Sequence, residues 1–225
     1  SVHDALVRGA REAVARIDIN THAGVHPRVG ALDVAPIVYL READRGAAIA
    51  AALVLADRLG EELALPVHLY GQLGAERAAL RRQLPATPDF GPATHPTAGA
   101  TLVTARPPLV AFNVVIDADL DTARAIAARV RQLPAVKALG VPLRDGVQLT
   151  TNLEDFTQTS PAQLVAAIGA PIVSAELVAL APEAAFADFP PGIPMPGFEP
   201  DRQLIERALA TYTDAYGPDQ TQEAR

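Results

Sequence analysis

The 225-residue sequence contains no cysteine, and lysine occurs once, at Lys137. The absence of cysteine excludes disulfide bonds and thiol chemistry, and with them a disulfide-stabilised secreted scaffold. No predominantly apolar stretch reaches the roughly 20 residues that a transmembrane helix needs. The N-terminus also lacks the basic-then-apolar pattern of a signal peptide, so we expect a cytoplasmic protein without a membrane partner.

Negative charge exceeds positive charge, with 26 Asp and Glu against 19 Lys and Arg and a formal net charge of −7. This balance argues against nucleic acid or an anionic membrane as a general partner. An anionic ligand must therefore be attracted by a local group of basic side chains. Because these are almost all arginines, a carboxylate would be recognised by bidentate guanidinium groups. The hydrophobic fraction of 49% suits a globular chain of one large or two small domains.

Apolar periodicity predicts alternating helices and strands. In the first half the predicted helices cover residues 3–16, 43–59 and 75–84, and the predicted strands cover 33–40 and 65–70. A proline- and glycine-rich loop follows at 87–99. In the second half the predicted strands are 109–116, 136–143, 147–151 and 172–180, and the predicted helices are 120–133 and 160–168.

The second half therefore has the order βαββαβ, which is typical of a ferredoxin-like fold. The first half has a similar order with its opening strand absent. We expect an α/β (α+β) protein of two ferredoxin-like subdomains, residues 1–104 and 105–188, with their sheets arranged about a cleft. Residues 189–225 are expected to form a proline-rich arm and a C-terminal helix from Asp201 to about Tyr216.

The segment from His22 to Pro36 holds the densest group of chemically versatile side chains: His22, His26, Arg28 and Asp33. Glycines and prolines between them favour a defined loop. Histidine can move a proton in both directions near neutral pH, and arginine matches the geometry of a carboxylate. The loop thus offers a general base, an anion clamp and an orienting carboxylate. The alternative is a polar turn with a pair of histidines.

The pattern His-x-Gly-x-His-Pro-Arg-x-Gly-Ala-Leu-Asp-Val-x-Pro closely resembles the signature of the formiminotransferase domain family. Further segments resemble the family pattern at the expected places, so the resemblance runs from about residue 5 to about residue 209. These segments are Leu69-Tyr70-Gly71, Pro88-Asp89-Phe90-Gly91-Pro92, Ala105-Arg106, Leu109-Val110-Ala111-Phe112-Asn113, Thr151-Asn152-Leu153-Glu154-Asp155 and Ser174-Ala175-Glu176-Leu177-Val178.

The resemblance implies transfer of a formimino group from N-formimino-L-glutamate to the co-substrate tetrahydrofolate, within histidine breakdown and one-carbon metabolism. It implies His26 as the general acid and base, a cytoplasmic homodimer and no metal. Two alternatives stay open. One is a non-catalytic folate-binding or regulatory relative that kept the fold, and the other is a transferase acting on another formimino donor.

The other residues of the loop have two interpretations each. His22 either orients the loop or binds ligand. Arg28 either clamps a carboxylate of the glutamate moiety or folate tail, or braces Asp33. Asp33 either fixes the histidine tautomer or caps the loop, and we favour the cap.

Polar side chains also interrupt the apolar strands of the second half. Asn113, Asn152 and Glu176 could line a ligand tunnel, because a buried polar group needs a partner. The alternatives are an internal hydrogen-bond network or an exposed strand face. Arg106 and Lys137 either attract polyanionic folate or are ordinary surface charges.

Three departures from the family pattern concern its N-terminal half. We expect the chain to lack the Val-Pro-Asn-Phe-Ser-Glu-Gly strand that precedes the first helix in the family. The stretch between Gly71 and Pro88 is shorter and lacks a Gly-x-Tyr/Phe-Glu element, and Thr104 replaces a glycine. An unpaired sheet edge in the first half, and the apolar arm at 189–200, provide further reasons to expect a symmetric homodimer.

Overall fold

The computed structural model describes residues 1–24 and 27–216, with side chains described as far as Thr213. Val25, His26 and residues 217–225 lie outside the described residues, so the proposed role of His26 stays a prediction. The described chain divides into two compact units, residues 1–107 and residues from 108 onward.

The first unit contains three parallel strands and three helices. The strands are β1 (Asp33–Val38), β2 (Val67–Leu69) and β3 (Thr101–Arg106), in the order β1-β3-β2. The helices are α1 (Val2–Arg16), α2 (Arg45–Leu63) and α3 (Arg77–Arg82), with single 3-10 turns at Glu42–Asp44 and Gly71–Leu73. Asp33 and Val67 both lie opposite Thr101, so the strands begin at the same edge of the sheet.

Sequence periodicity did not place a strand at β3, although β3 is the centre of this sheet. Its first five residues are all at most 1% exposed. A strand buried on both faces loses the alternation of apolar and polar residues that identifies a half-exposed strand. Leu55 and Leu59 of α2 pack with Val103 and Ala105 of β3 in the core of the unit.

The second unit has the predicted order βαββαβ. Its strands are β4 (Val110–Ile116), β5 (Val136–Leu143), β6 (Gly146–Leu153) and β7 (Ile172–Leu177), and its first helices are α4 (Leu120–Val130) and α5 (Pro161–Ile168). The sheet is antiparallel in the order β5-β6-β4-β7, which is the ferredoxin-like arrangement. The mixed α/β class is therefore confirmed.

The ends of α5 show why this prediction held. Ser160 and Gln163 form the expected reciprocal capping box, with Pro161 at the first helical position. Gly169 ends the helix in the left-handed conformation at φ 61°. The Asp145-Gly146 turn joins β5 to β6, where Leu143 lies opposite Gly146.

The proline-rich arm packs on its own unit. Phe189 and Phe186 make edge contacts with the fully buried Phe112, at centroid distances of 5.6 and 5.9 Å. Pro194 accepts a 2.8 Å hydrogen bond from the Ala175 amide on the edge strand β7. The arm therefore covers apolar surface and part of a sheet edge within the same chain.

The helix predicted from Asp201 to Tyr216 is wrong at one residue. It is interrupted at Leu204, which gives α6 (Pro200–Gln203) and α7 (Ile205–Tyr216). Leu204 is extended and 4% exposed, and its neighbours bond to the main chain of Ala181. Burial of one leucine in the core thus outweighs the continuity of an exposed helix. Among the described residues, no helix is long and apolar enough to cross a membrane.

Candidate functional site

The histidine loop, which we define as residues 17–32, lies against a second loop, residues 87–100, which we call the Pro/Gly loop. Three main-chain hydrogen bonds of 2.8 to 3.0 Å join them: Ile19 N–H to Thr97 O, Ala31 N–H to Ala98 O, and Ala100 N–H to Val29 O. The histidine loop leads into β1 and the Pro/Gly loop into β3, so the neighbouring strands fix both loops at one edge of the sheet.

Gly30 is required where the two loops meet. It forms an isolated antiparallel bridge with Gly99. A β-carbon at Gly30 would lie 2.0 Å from the carbonyl oxygen of Ala100 and 2.6 Å from that of Ala98. Main-chain atoms cannot rotate away as a side chain can, so any larger residue forces the loops apart.

Arg28 braces the histidine loop through its own backbone. Its Nη1 donates a 2.9 Å hydrogen bond to the carbonyl of Gly24, and its Nη2 donates to the carbonyl of His22. A β-carbon at Gly24 would lie 3.1 Å from Nε2 of His22 and 3.3 Å from Nη1 of Arg28, so the imidazole and the guanidinium both approach this glycine. Binding of a substrate carboxylate by Arg28 stays a prediction.

Asp33 holds the other end of the histidine loop. It is a non-glycine residue at φ 53°, in the left-handed region that Asp and Asn tolerate better than most side chains. Its Oδ1 accepts a 2.8 Å hydrogen bond from the Val29 amide, and its Oδ2 accepts one from Arg81. Asp33 therefore caps the loop, and its charged partner comes from α3.

The loop residues surround one cavity of about 350 Å³. Its lining is Ile17, Ile19, His22, Gly24, Pro27, Arg28, Gly30, Ala31 and Asp33. The structure thus brings together three of the predicted site residues, His22, Arg28 and Asp33, in an otherwise largely apolar cavity. An apolar cavity with a few convergent polar groups is a common form of small-molecule site.

The predicted site residues of the second unit share one sheet face. Asn113 lies opposite Glu176, and its Nδ2 donates to Glu176 Oε2 at 3.3 Å. Asn152 lies opposite Ala111 and Lys137 on the neighbouring strands. Residues facing the core of β4 and β6 are buried, whereas these asparagines are half-buried. Arg106 ends β3 in the first unit, where its Nη1 donates a 2.9 Å hydrogen bond to Pro107 O.

His68 is a buried titratable residue on β2 that the sequence patterns did not predict as a site residue. It is 3% exposed, and burial lowers the pKa of its imidazole while the nearby Asp89 charge acts in the opposite direction. The Asp89 carboxylate also accepts a 2.7 Å hydrogen bond from the Leu69 amide. A polar residue within an apolar strand was the signal used for Asn113, and the same signal applies to His68.

Thr104 is accommodated without an unsatisfied hydroxyl. Its Oγ1 donates a 2.6 Å hydrogen bond to the carbonyl of Tyr70, and the side chain is buried in the centre of the sheet. The Thr104 hydroxyl therefore links β3 to the residue that follows β2.

Comparison with known proteins identifies the family to which the chain belongs. A model of the formiminotransferase domain, N-terminal subdomain, matches residues 1–106. The chain is 34% identical over 217 residues to glutamate formimidoyltransferase of Thermoplasma acidophilum, which covers 82% of this chain and 72% of the relative. It is 31% identical over 241 residues to the enzyme of the same name from Streptococcus pyogenes, with 93% of this chain and 81% of the relative covered.

A third relative is longer. Formimidoyltransferase-cyclodeaminase of Gallus gallus is 34% identical over 227 residues, covering 84% of this chain and 41% of the relative. The chain therefore spans about two fifths of the length of that relative. It belongs to the formiminotransferase family, as its loop signature predicted.

The contact between the two loops predicts a strong effect of Gly30→Ala. We expect destabilisation by roughly 1–3 kcal/mol, the usual cost of overpacking, measured by urea denaturation. Gly9→Ala is the matched control, because a β-carbon at Gly9 on α1 meets nothing within 4 Å. This control should stabilise the chain by up to about 1 kcal/mol through helix propensity. Equal denaturation midpoints for Gly30→Ala and the unchanged chain would contradict the close approach.

Proposed function

We propose that the protein transfers a formimino group from N-formimino-L-glutamate to tetrahydrofolate and releases glutamate. The observation that carries this proposal is the histidine-loop signature in a chain of the formiminotransferase family. The cavity lined by His22, Arg28 and Asp33 supports it, because a guanidinium group such as that of Arg28 suits an acidic substrate. Two of the relatives are named glutamate formimidoyltransferase, and tetrahydrofolate is the acceptor that the family resemblance implies.

The reaction exchanges one nitrogen for another on the formimino carbon. An amine of tetrahydrofolate attacks this carbon and forms a C–N bond, giving a tetrahedral intermediate. The incoming nitrogen must then lose a proton, and the nitrogen of glutamate must gain one as its C–N bond breaks. We assign both transfers to His26, because one imidazole of near-neutral pKa can accept the first proton and return it to the leaving nitrogen.

The charge around the cavity favours an anionic donor. The two carbonyl groups that accept hydrogen bonds from Arg28 are neutral, so these two contacts do not cancel its charge. The negative charge of Asp33 is balanced by Arg81. Arg28 is therefore our candidate for attracting the carboxylates of the donor within an acidic protein. The size of the cavity, about 350 Å³, lies at the small end of ligand sites and suits the amino-acid donor.

The sheet face of the second unit is our candidate for folate recognition. Asn113 and Asn152 carry both donors and acceptors, and Glu176 accepts hydrogen bonds, as required for the donor and acceptor groups of a pterin ring. Arg106 is the candidate for attracting the folate carboxylates. The described residues include no group of three or more His, Asp or Glu side chains placed to hold a metal ion, and the expectation of metal-free transfer stays a prediction.

His26→Ala tests the mechanism. We expect a loss of about 10²–10⁴ in the rate of transfer, the usual contribution of a general acid and base. The measurement is formation of formimino-tetrahydrofolate under saturating substrates, with folding checked by circular dichroism. Added imidazole should restore part of the lost rate, because it can carry the same proton.

His3→Ala is the control for this experiment, since His3 lies on α1 and outside the cavity lining. We expect it to retain the rate of the unchanged chain. A His26→Ala rate within a few-fold of that rate would contradict the proposed proton carrier. Folate binding without any transfer by the unchanged chain would instead support the non-catalytic alternative.

The charge argument predicts salt-dependent folate binding. Titration calorimetry with a stable folate analogue should show an affinity that falls as salt is raised, because salt screens the attraction between ligand and arginine. Arg106→Gln should weaken binding and reduce this salt dependence. Arg16→Gln is the control, because Arg16 forms an exposed ion pair with Glu12 at 2.8 Å. This variant removes the same charge and should change neither the affinity for folate nor its salt dependence. Equal effects of the two variants would exclude a local role of Arg106.

We also propose a symmetric homodimer, which the family resemblance implies, and a location in the cytoplasm. Apolar residues of the arm pack against the core of their own unit. Sedimentation equilibrium at micromolar concentration should report twice the chain mass of 23.6 kDa. A mass of one chain would contradict the proposed assembly.

A further inference from the structure

The ion pair between Arg81 and Asp33 joins α3 to the histidine loop. Nη2 of Arg81 donates to Oδ2 of Asp33, and the two side chains are only 19% and 24% exposed. The residues are 48 positions apart in the chain. Arg81 lies in the stretch between Gly71 and Pro88, where the sequence departs from the family pattern. The charged partner of Asp33 therefore comes from a part of the chain that lies outside the loop signature.

The two oxygens of Asp33 have separate tasks. Oδ1 accepts the Val29 amide at 2.8 Å, and Val29 directly follows Arg28. Oδ2 accepts from Arg81. A carboxylate held at both oxygens cannot rotate freely, so Arg81 fixes the orientation in which Asp33 receives the loop amide.

Arg81 also acts on the charge of the cavity. Asp33 lines the cavity, whereas Arg81 does not. Without Arg81, an unbalanced carboxylate would face the space in which we place a dicarboxylate donor. Repulsion between like charges would weaken donor binding even if the loop kept its shape.

We propose that Arg81 is a positioning residue of the donor site, acting through Asp33. It orients the carboxylate that caps the histidine loop and balances the negative charge of that carboxylate at the cavity wall. This inference rests on the proposed function for the identity of the donor. It adds a residue that the loop signature does not contain.

The test is a double-variant cycle in the full chain, measuring the KM for N-formimino-L-glutamate. Arg81→Gln should raise this KM by about tenfold, within the range of coupling between residues in contact. Asp33→Asn removes the charge of Asp33 and keeps a side chain that tolerates positive φ, so it gives the effect on KM of losing this carboxylate alone. Because Arg81 acts through that carboxylate, the KM of the double variant Arg81→Gln/Asp33→Asn should lie within about threefold of the KM of Asp33→Asn.

Two controls separate positioning from folding. Arg82→Gln removes the same charge from the exposed next residue of α3 and should leave KM unchanged. Arg81→Lys keeps the charge and should show a smaller rise in KM than Arg81→Gln. Thermal unfolding of each variant identifies any that fails to fold. If Arg81→Gln does not fold, Arg81→Lys is compared with Arg82→Gln instead. The proposal is overturned if Arg81→Gln has the same KM as Arg82→Gln, or if Arg81→Gln raises KM as much in the Asp33→Asn background as in the original chain.

A second measurement needs no activity. Hydrogen exchange of the Val29 amide should accelerate in Arg81→Gln and stay unchanged in Arg82→Gln. Only the first variant lets the Asp33 carboxylate, which accepts the hydrogen bond of this amide, rotate away. If the unchanged chain transfers no formimino group, the proposed function fails. The exchange rate of the Val29 amide then still tests whether Arg81 orients the loop. An unchanged rate in Arg81→Gln would also overturn the proposed effect of Arg81 on the loop.

Discussion

The main-chain contact between the histidine loop and the Pro/Gly loop is the constraint on which the candidate site depends. Gly30 and Gly99 allow the two backbones to approach more closely than any side chain would permit. Hydrogen bonds on either side of this point then fix the loops to each other. Both loops enter the sheet at paired positions, Asp33 and Thr101, so the rigid parallel strands determine where the loop side chains lie. The cavity is therefore placed by backbone packing rather than by its polar side chains.

Charged side chains complete what the backbone contact begins. Arg28 donates hydrogen bonds to two carbonyl groups of its own loop, and one oxygen of Asp33 accepts a hydrogen bond from a loop amide. These contacts shape the loop, and Arg81 balances the negative charge of Asp33. The same few residues thus fix the structure of the loop and supply charged groups to the cavity wall.

Sequence patterns predicted the second unit well because its sheet is half-exposed and its turns carry specific residues. The Asp145-Gly146 turn and the Ser160 cap each correspond to one local geometry. The strand β3 was missed because burial on both faces removes its periodicity. Leu204 interrupts a predicted helix through a tertiary contact with the strand-like residue Ala181, which no local pattern records. Local signals therefore succeed where the local backbone decides the structure, and fail where packing decides it.

The same distinction applies to the site. His22, Arg28 and Asp33 could be found together because they share one loop, and the structure places them at one cavity. Arg81 could not be predicted in this way. An arginine on a short helix is usually an ordinary surface residue, and the partner of Arg81 is distant in sequence. Yet the pair decides both the orientation and the net charge of Asp33. Arg81, a residue outside the loop signature, thus controls the orientation of the Asp33 carboxylate, which belongs to the signature.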